Sequence, residues 1–330
     1  MALTAERPGV HSSLHLVYSF ECNLSCDHCI SRAGPDDSGT MGIPRAKAFI
    51  EQAGQAGIRR IVFTGGEPLL HAQDVRILIE HAFGEGMESV LITNVSWVSS
   101  RHQAKECLSD LKQIGLQSIT LSTDRYHLRE VPLEKLECLL DVAREIGLQA
   151  GVKIARLAHD PVADGLYRSL RADSTRILVQ EISPLGRAAP LRRALKLRVA
   201  SSFSRPGCFT PPVLLVDGCL LTCCNLPARD IKQTDYPFAL GNADDDPLPS
   251  LLYKRSGDPI LNALRHNGPS TLLARLARKE SAFREQYQRL YHSGCDLCFH
   301  LFCRLPDKAF LYSALERQRN EKNDTLWDPL

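Results

Sequence analysis

The stretch LHLVYSFECNLSCDHC, Leu14 to Cys29, joins a short apolar run to three cysteines spaced C-x3-C-x2-C. The run Leu14–Phe20 has the length and character of a buried parallel strand. The cysteines follow it directly, so the fold gathers three thiols at one strand end. In a reducing compartment such a triplet reads as a metal site rather than as half of a disulfide framework. Structural zinc takes four ligands, and His28, chain neighbour of Cys29, is poorly placed to reach the same ion. A [4Fe–4S] cube on three thiolates leaves one iron without a protein ligand, open to a small molecule.

Working outward, the same texture repeats. Apolar runs at Arg60–Thr64, Ser89–Thr93, Ser118–Ser122, Leu148–Ile154 and Arg176–Ile182 alternate with amphipathic segments at Pro44–Ala56, Ala72–Phe83, His102–Ile114 and Leu133–Ile146. Gly57, Gly115 and Gly147 stand where left-handed helix caps are expected. A strand recurs at roughly the length of one βα unit, about 30 residues. Six such units give an α/β fold, with a parallel sheet and helices outside, as an open sheet or a partial barrel. The last crossover, 155–175, has the weakest pattern and reads as mostly loop.

The second run ends in Gly65-Gly66-Glu67-Pro68. Glycines let a backbone approach a ligand closely, and a carboxylate at a strand's C-terminal edge suits an ammonium group. The triplet and this tetrapeptide, at the ends of the first and second strands, together resemble the radical S-adenosylmethionine (SAM) superfamily. The resemblance implies a partial (β/α)6 TIM-like barrel. It implies a [4Fe–4S] cluster on Cys22, Cys26 and Cys29, with SAM chelating its open iron. It also implies reductive cleavage of SAM to a 5′-deoxyadenosyl radical that abstracts hydrogen from a substrate, fed by a flavodoxin- or ferredoxin-type electron donor. Gly65, Gly66, Glu67 and Pro68 would hold the SAM amino group. Asn94, Ser122 and Asp124, at the third and fourth strand ends, would contact its ribose or carboxylate. Lys153 and Arg156 are candidates for the carboxylate, and Gly186, in Ile182-Ser-Pro-Leu-Gly-Arg-Ala188, would lie near the adenine. Tyr126 and His127 either face substrate or belong to an ordinary loop. His28 stands where the family often has an aromatic residue.

The chain has 330 residues and twelve cysteines. Cys107 and Cys138 lie in helix-like segments and read as core. The rest form two further groups, and the texture changes near residue 190, so residues 1–190 read as the radical SAM core and 191–330 as a second domain. The pattern Cys208-x9-Gly218-x4-Cys223, with a hairpin turned by Asp217-Gly218, precedes Cys295-x2-Cys298-x4-Cys303. This resembles the SPASM extension or its shorter relative, twitch, a small hairpin-plus-helix domain binding auxiliary clusters. Three closing cysteines are too few for two clusters, so one auxiliary [4Fe–4S] cluster is expected on Cys208, Cys223, Cys295 and Cys298. Structural zinc is the alternative. Cys219, Cys224 and Cys303 are then spare thiols, any of which can exchange roles with a chosen ligand. Cys224 and Cys303 are candidates for returning a hydrogen atom to a substrate radical, as radical SAM epimerases do.

A formal charge of +2 gives no reason to expect nucleic acid or an anionic membrane as partner. No run approaches the roughly 18 apolar residues of a membrane span, and Met1–Val10 lacks an apolar signal core, so the chain reads as cytoplasmic. The basic stretch Arg187–Arg198 reads as a solvated face or as a landing for an acidic peptide. The resemblance implies modification of a ribosomally made peptide, by epimerisation or thioether formation. Dehydrogenation or epimerisation of an aminocyclitol, sugar or other small molecule is the alternative, and a non-catalytic iron–sulfur carrier is a reading from another class. The early first strand leaves no N-terminal leader-binding domain, which weakens the peptide reading without removing it.

Overall fold

The computed structural model describes residues 13–172, 175–203, 208, 211–232, 237–305 and 308–320. Met1–Val10, read above for a signal core, lies outside the described residues. Six strands, β1 (Ser13–Ser19), β2 (Arg60–Gly65), β3 (Glu88–Thr93), β4 (Leu116–Thr123), β5 (Gln149–Arg156) and β6 (Arg176–Glu181), lie side by side in chain order, all parallel. The crossovers are α1 (Ile43–Gln55), α2 (Ala72–Gly84), α3 (Arg101–Gln113), α4 (Leu133–Glu145) and α5 (Pro161–Ala172). The crossover 155–175, read as mostly loop, therefore holds a helix. Its start signal is Asp160-Pro161: the Asp160 carboxylate accepts the Ala163 N–H at 3.2 Å, and proline suits the first helical position.

Side chains alternate along the strands. Leu14, Leu16 and Tyr18 of β1, Ile61 and Phe63 of β2, Ile119 and Leu121 of β4, and Val152 and Ile154 of β5 are buried in the core shared with the helices. The opposite faces carry His15 and Val17, Thr64, Ile92, Ser122, and Lys153 and Ala155, which line a cavity inside the curved sheet.

Beyond β6, two-residue strands β7 (Arg198–Val199) and β11 (Leu290–Tyr291) form a small separate sheet. The predicted hairpin is β8 (Val213–Leu214) and β9 (Cys219–Leu221), followed by β10 (Ala239–Asn242). It does not stand apart: β8 pairs in parallel with β1, giving a nine-stranded sheet ordered β10-β9-β8-β1-β2-β3-β4-β5-β6. Leu214, Leu220, Leu240 and Leu251 join the core of the six-unit barrel. Helices α6 (Leu248–Gly257), α7 (Pro259–Lys279), α8 (Ala282–Gln288), α9 (Gly294–Phe299) and α10 (Lys308–Asn320) complete the chain. A second core, around Leu272, Leu276, Leu297 and Phe302, carries Cys223, Cys224, Cys295, Cys298 and Cys303 at its margin. None of the described helices is long and apolar enough to cross a membrane.

His15 supplies a pH test of the barrel interior. Burial, then the Lys153 charge, push its imidazole down to about 4. A lowered folded pKa means stability that is present above the unfolded value, about 6.5, and lost as pH falls toward 4, because the unfolded chain binds that proton more readily. In the metal-free protein, His15→Asn is expected to retain about 2 kcal/mol more of its neutral-pH stability than the wild type on going from pH 7 to pH 4.5, as urea midpoints will report.

Candidate active site

After β1 the chain leaves the sheet and folds back on itself. The Cys22 N–H donates to the Gly34 carbonyl at 3.1 Å, and the Cys29 N–H to the Cys26 carbonyl at 3.0 Å. Arg187 braces this loop from the far side of the barrel, donating to the carbonyls of Cys26 at 3.0 Å and Ala33 at 2.7 Å, while its own N–H bonds the Cys29 carbonyl at 2.9 Å. Gly186 has φ +59°, and a Cβ there would stand 2.2 Å from the Ile30 carbonyl oxygen. The segment around Gly186 thus grips the cysteine loop through its backbone. Arg187, read in the sequence as the first residue of a basic solvated face or peptide landing, instead spends its guanidinium on this loop.

Cys22, Cys26 and Cys29 all line the cavity, about 270 Å³ at the C-terminal strand ends, and none forms a disulfide. Burial, with Glu67 and the other two cysteines nearby, pushes the Cys22 thiol up to about 11. Asn94 Nδ2 lies 3.6 Å from Cys22 Sγ, and Cys26 lies close enough to His127 to favour its charged imidazole. Three half-buried thiols gathered on one loop, with Asn94 Nδ2 beside the Cys22 sulfur, fit a site whose charge is completed by a metal. Three such thiols fit a cluster with one open iron.

The glycines of Gly65-Gly66 are a steric requirement. A Cβ on Gly66 would stand 1.9 Å from the Glu21 carbonyl oxygen and one on Gly65, at φ +132°, 2.3 Å from that of Ser19. The N–H groups of Gly66 and Glu67 donate to Ser19 and Glu21 at 2.9 Å each, locking the end of β2 to the root of the cysteine loop. Gly65 and Gly66 line the cavity, whereas Glu67 and Pro68 are not among its lining residues. The Glu67 carboxylate is buried beneath the strand ends, accepting from Asn94 N at 2.7 Å, Thr93 Oγ1 at 2.9 Å and Leu69 N at 3.1 Å. Burial pushes it up to about 7 despite those three donors.

Asp124, just past β4, is the hub of a network that the sequence does not show. One oxygen accepts the N–H groups of Tyr126 at 2.9 Å and His127 at 3.1 Å; the other meets His127 Nδ1 at 2.9 Å and His28 Nε2 at 3.2 Å. Burial alone would raise its pKa, but the hydrogen bonds and charges of His127 and His28 hold the carboxyl well below the usual carboxylate range. Burial would lower His127, but Asp124 and Cys26 override it and push the imidazole up to about 10. The His28 ring stacks on Tyr126 with centroids 4.8 Å apart. One ligand atom from each of His28, Asp124 and His127 lies within 4.8 Å of the others, but the close contacts are matched donor–acceptor pairs and need no ion. Their spread over 99 positions hid the network, since only the fold brings the first and fourth strand ends together.

Strand periodicity separates the two basic candidates. Lys153 sits beside Ser122 in register and faces the cavity, with burial lowering its pKa and Cys224 and Asp124 opposing that. Arg156 turns the other way, pairing with Asp164 of α5 at 3.2 Å, and is not among the lining residues.

The C-terminal thiols form one group. Burial raises Cys298 well above the ordinary thiol range, and Cys208, Cys295, Cys223 and Cys303 add to the effect. Cys295 is raised by burial and then by Cys223, Cys208 and Cys224. Cys295 and Cys298 ride on α9, whose N-cap Ser293 accepts the Asp296 N–H at 3.0 Å. Asp296 is buried and anchored by Arg192 at 3.2 Å and Arg304 at 3.4 Å. Thiols close enough to act on one another's ionisation, from exposed Cys208 to Cys295 and Cys298 deeper in, fit a metal site's donor set. Cys219 stands apart in the apolar core. Cys223 and Cys224 line the same cavity as the first triplet, and Cys303 is not among the lining residues.

Residues 16–154 match the profile of the Radical SAM superfamily. The Putative peptide biosynthesis protein YydG of Bacillus subtilis (strain 168) is 23% identical over 312 residues, covering 91% of this chain and 95% of that one. The AdoMet-dependent heme synthase of Oleidesulfovibrio alaskensis is 32% identical over 104 residues, 31% of this chain and 25% of that protein. Among solved structures, native anSMEcpe with bound AdoMet superposes with a TM-score of 0.56 at 13% identity, covering 93% of this chain and 99% of that one, a likeness of fold.

Proposed function

We propose that this chain, a radical SAM enzyme that carries the superfamily's domain over residues 16–154, inverts a stereocentre in a peptide, with Cys224 returning the hydrogen atom. The observation that carries the reading is that Cys224 opens onto the same cavity as Cys22, Cys26 and Cys29. The similarity to a protein named for peptide biosynthesis, over nearly the whole of both chains, supports the substrate class.

Cys22, Cys26 and Cys29 would hold the [4Fe–4S] cluster, which with SAM would supply the radical chemistry that removes a hydrogen atom from substrate. The chain's own residues do the rest. Asn94 stands beside the Cys22 sulfur with His127 near Cys26, and Arg187 and the Gly65-Gly66 turn hold the loop that carries them. Lys153 offers its ammonium to the SAM carboxylate, with Ser122 beside it and Gly186 holding the wall by Ile30. Burial, then Cys223, push the Cys224 thiol up to about 12 against the pull of Lys153, so it stays an S–H group, as hydrogen-atom donation requires. Its S–H bond breaks as the substrate C–H bond forms. The thiyl left on Cys224 returns to thiol by taking one electron, from a flavodoxin- or ferredoxin-type donor, and one proton.

The test is mass spectrometry of synthetic peptides, tiling the short reading frames beside the gene, after turnover in D2O with reduced enzyme and SAM. A gain of one mass unit with a D-residue at the labelled position is the expected result. Loss of two mass units without solvent deuterium would replace inversion by thioether formation or dehydrogenation.

A further inference from the structure

Two neutral amides meet in the wall of the cavity. Gln180 lies on β6 in register with Ala155, and both line the cavity. Asn225 follows Cys224 in the chain and lines the same cavity. Gln180 Nε2 donates to Asn225 Oδ1 at 3.2 Å. Since β6 is an edge strand of the sheet, this bond ties that edge to the segment past β9. A primary amide carries two N–H groups and an acceptor oxygen. The pair spends one N–H and one lone pair on itself. The Gln180 carbonyl oxygen and the Asn225 N–H groups have no other partner among the described residues. Asn94, a third primary amide in the wall, is instead turned to Cys22 and Asn23.

We infer that Gln180 and Asn225 clamp a backbone peptide group of the substrate beside Cys224. A peptide group offers one N–H and one C=O, which match the free Gln180 oxygen and the free Asn225 N–H groups. Both side chains are uncharged, so the contact reads main chain rather than a charged side chain. Asn225 adjoins Cys224, so a peptide group held there brings a neighbouring α-carbon to the thiol proposed to return hydrogen. The clamp rests on the peptide reading of the substrate and adds to it the groups that set which residue of the peptide reacts.

The experiment uses reconstituted full-length holoenzyme and the synthetic peptides tiled from the neighbouring reading frames, with deuterium incorporation as the rate. Gln180→Met, which keeps the length of the side chain, and Asn225→Ala are compared with wild type at equal iron content. Each is expected to raise KM for the peptide turned over about tenfold, the scale of one lost hydrogen bond, with kcat held within about twofold. Depsipeptides, in which an ester replaces each peptide bond flanking the inverted residue in turn, identify the clamped bond. At that bond the ester is expected to cost wild type about tenfold in kcat/KM and to cost Gln180→Met nothing further. Equal losses in the two proteins overturn the clamp, because other groups would then hold the backbone. An unchanged KM in both variants overturns it as well. So does loss of iron from both variants, which would make the pair a structural brace. Turnover of none of the tiled peptides by wild type removes the peptide reading and the clamp with it, whereas the other outcomes leave the peptide reading standing.

Discussion

Cys224→Ala is expected to abolish solvent deuterium incorporation into the peptide, by at least about 100-fold, while 5′-deoxyadenosine still forms on substrate addition. The two readouts separate because abstraction and return of hydrogen use different groups. In the proposed reaction, abstraction would depend on the first triplet and return on Cys224, which faces the same cavity and is held as a thiol by burial. An alanine there leaves the substrate radical without a donor, so products of its diversion accumulate. The variant also tests the ligand assignment. If Cys208, Cys223, Cys295 and Cys298 hold the second cluster, Cys224→Ala keeps about eight irons per chain. A fall to about four would make Cys224 a ligand and remove it as hydrogen donor. Retained deuterium incorporation at full iron content would shift the donor elsewhere in the cavity wall.

The second large effect concerns metal content. Anaerobically reconstituted wild type is expected to hold about eight irons and eight sulfides, and a Cys22/Cys26/Cys29→Ala triple variant about four of each, with no SAM cleavage. The reason is geometric: the two proposed donor sets belong to different elements, the loop after β1 on one side and α9, the chain just past β9 and Cys208 beside α7 on the other. Four irons in wild type and none in the variant would leave zinc or free thiols at the second site.

Much of this was legible in the sequence because it is local. The spacing of Cys22, Cys26 and Cys29 after an apolar run, the Gly65-Gly66-Glu67-Pro68 turn, and the alternation of strand-like and helix-like runs each depend on neighbours a few residues away. So does the turn at Asp217-Gly218. Helix α5 also carries a local signal, the Asp160-Pro161 start, although its apolar pattern is weak.

What the tertiary structure decided is long-range. The sequence offered Lys153 and Arg156 as equals; the pleat turns Lys153 into the cavity and Arg156 toward Asp164. It offered Cys224 and Cys303 as equals; among the described residues, only Cys224 of the two lines the cavity. It could not show that β8 would extend the barrel's sheet beside β1, which brings the end of β9 to the first cysteine loop. Nor could it show Asp124 shared between His28 and His127, or the Ser183 hydroxyl meeting that of Ser293. Sequence patterns encode which face of an element is apolar and where it ends. Which polar groups meet at those ends depends on strand order, register and side-chain direction, quantities that exist only once distant segments have paired.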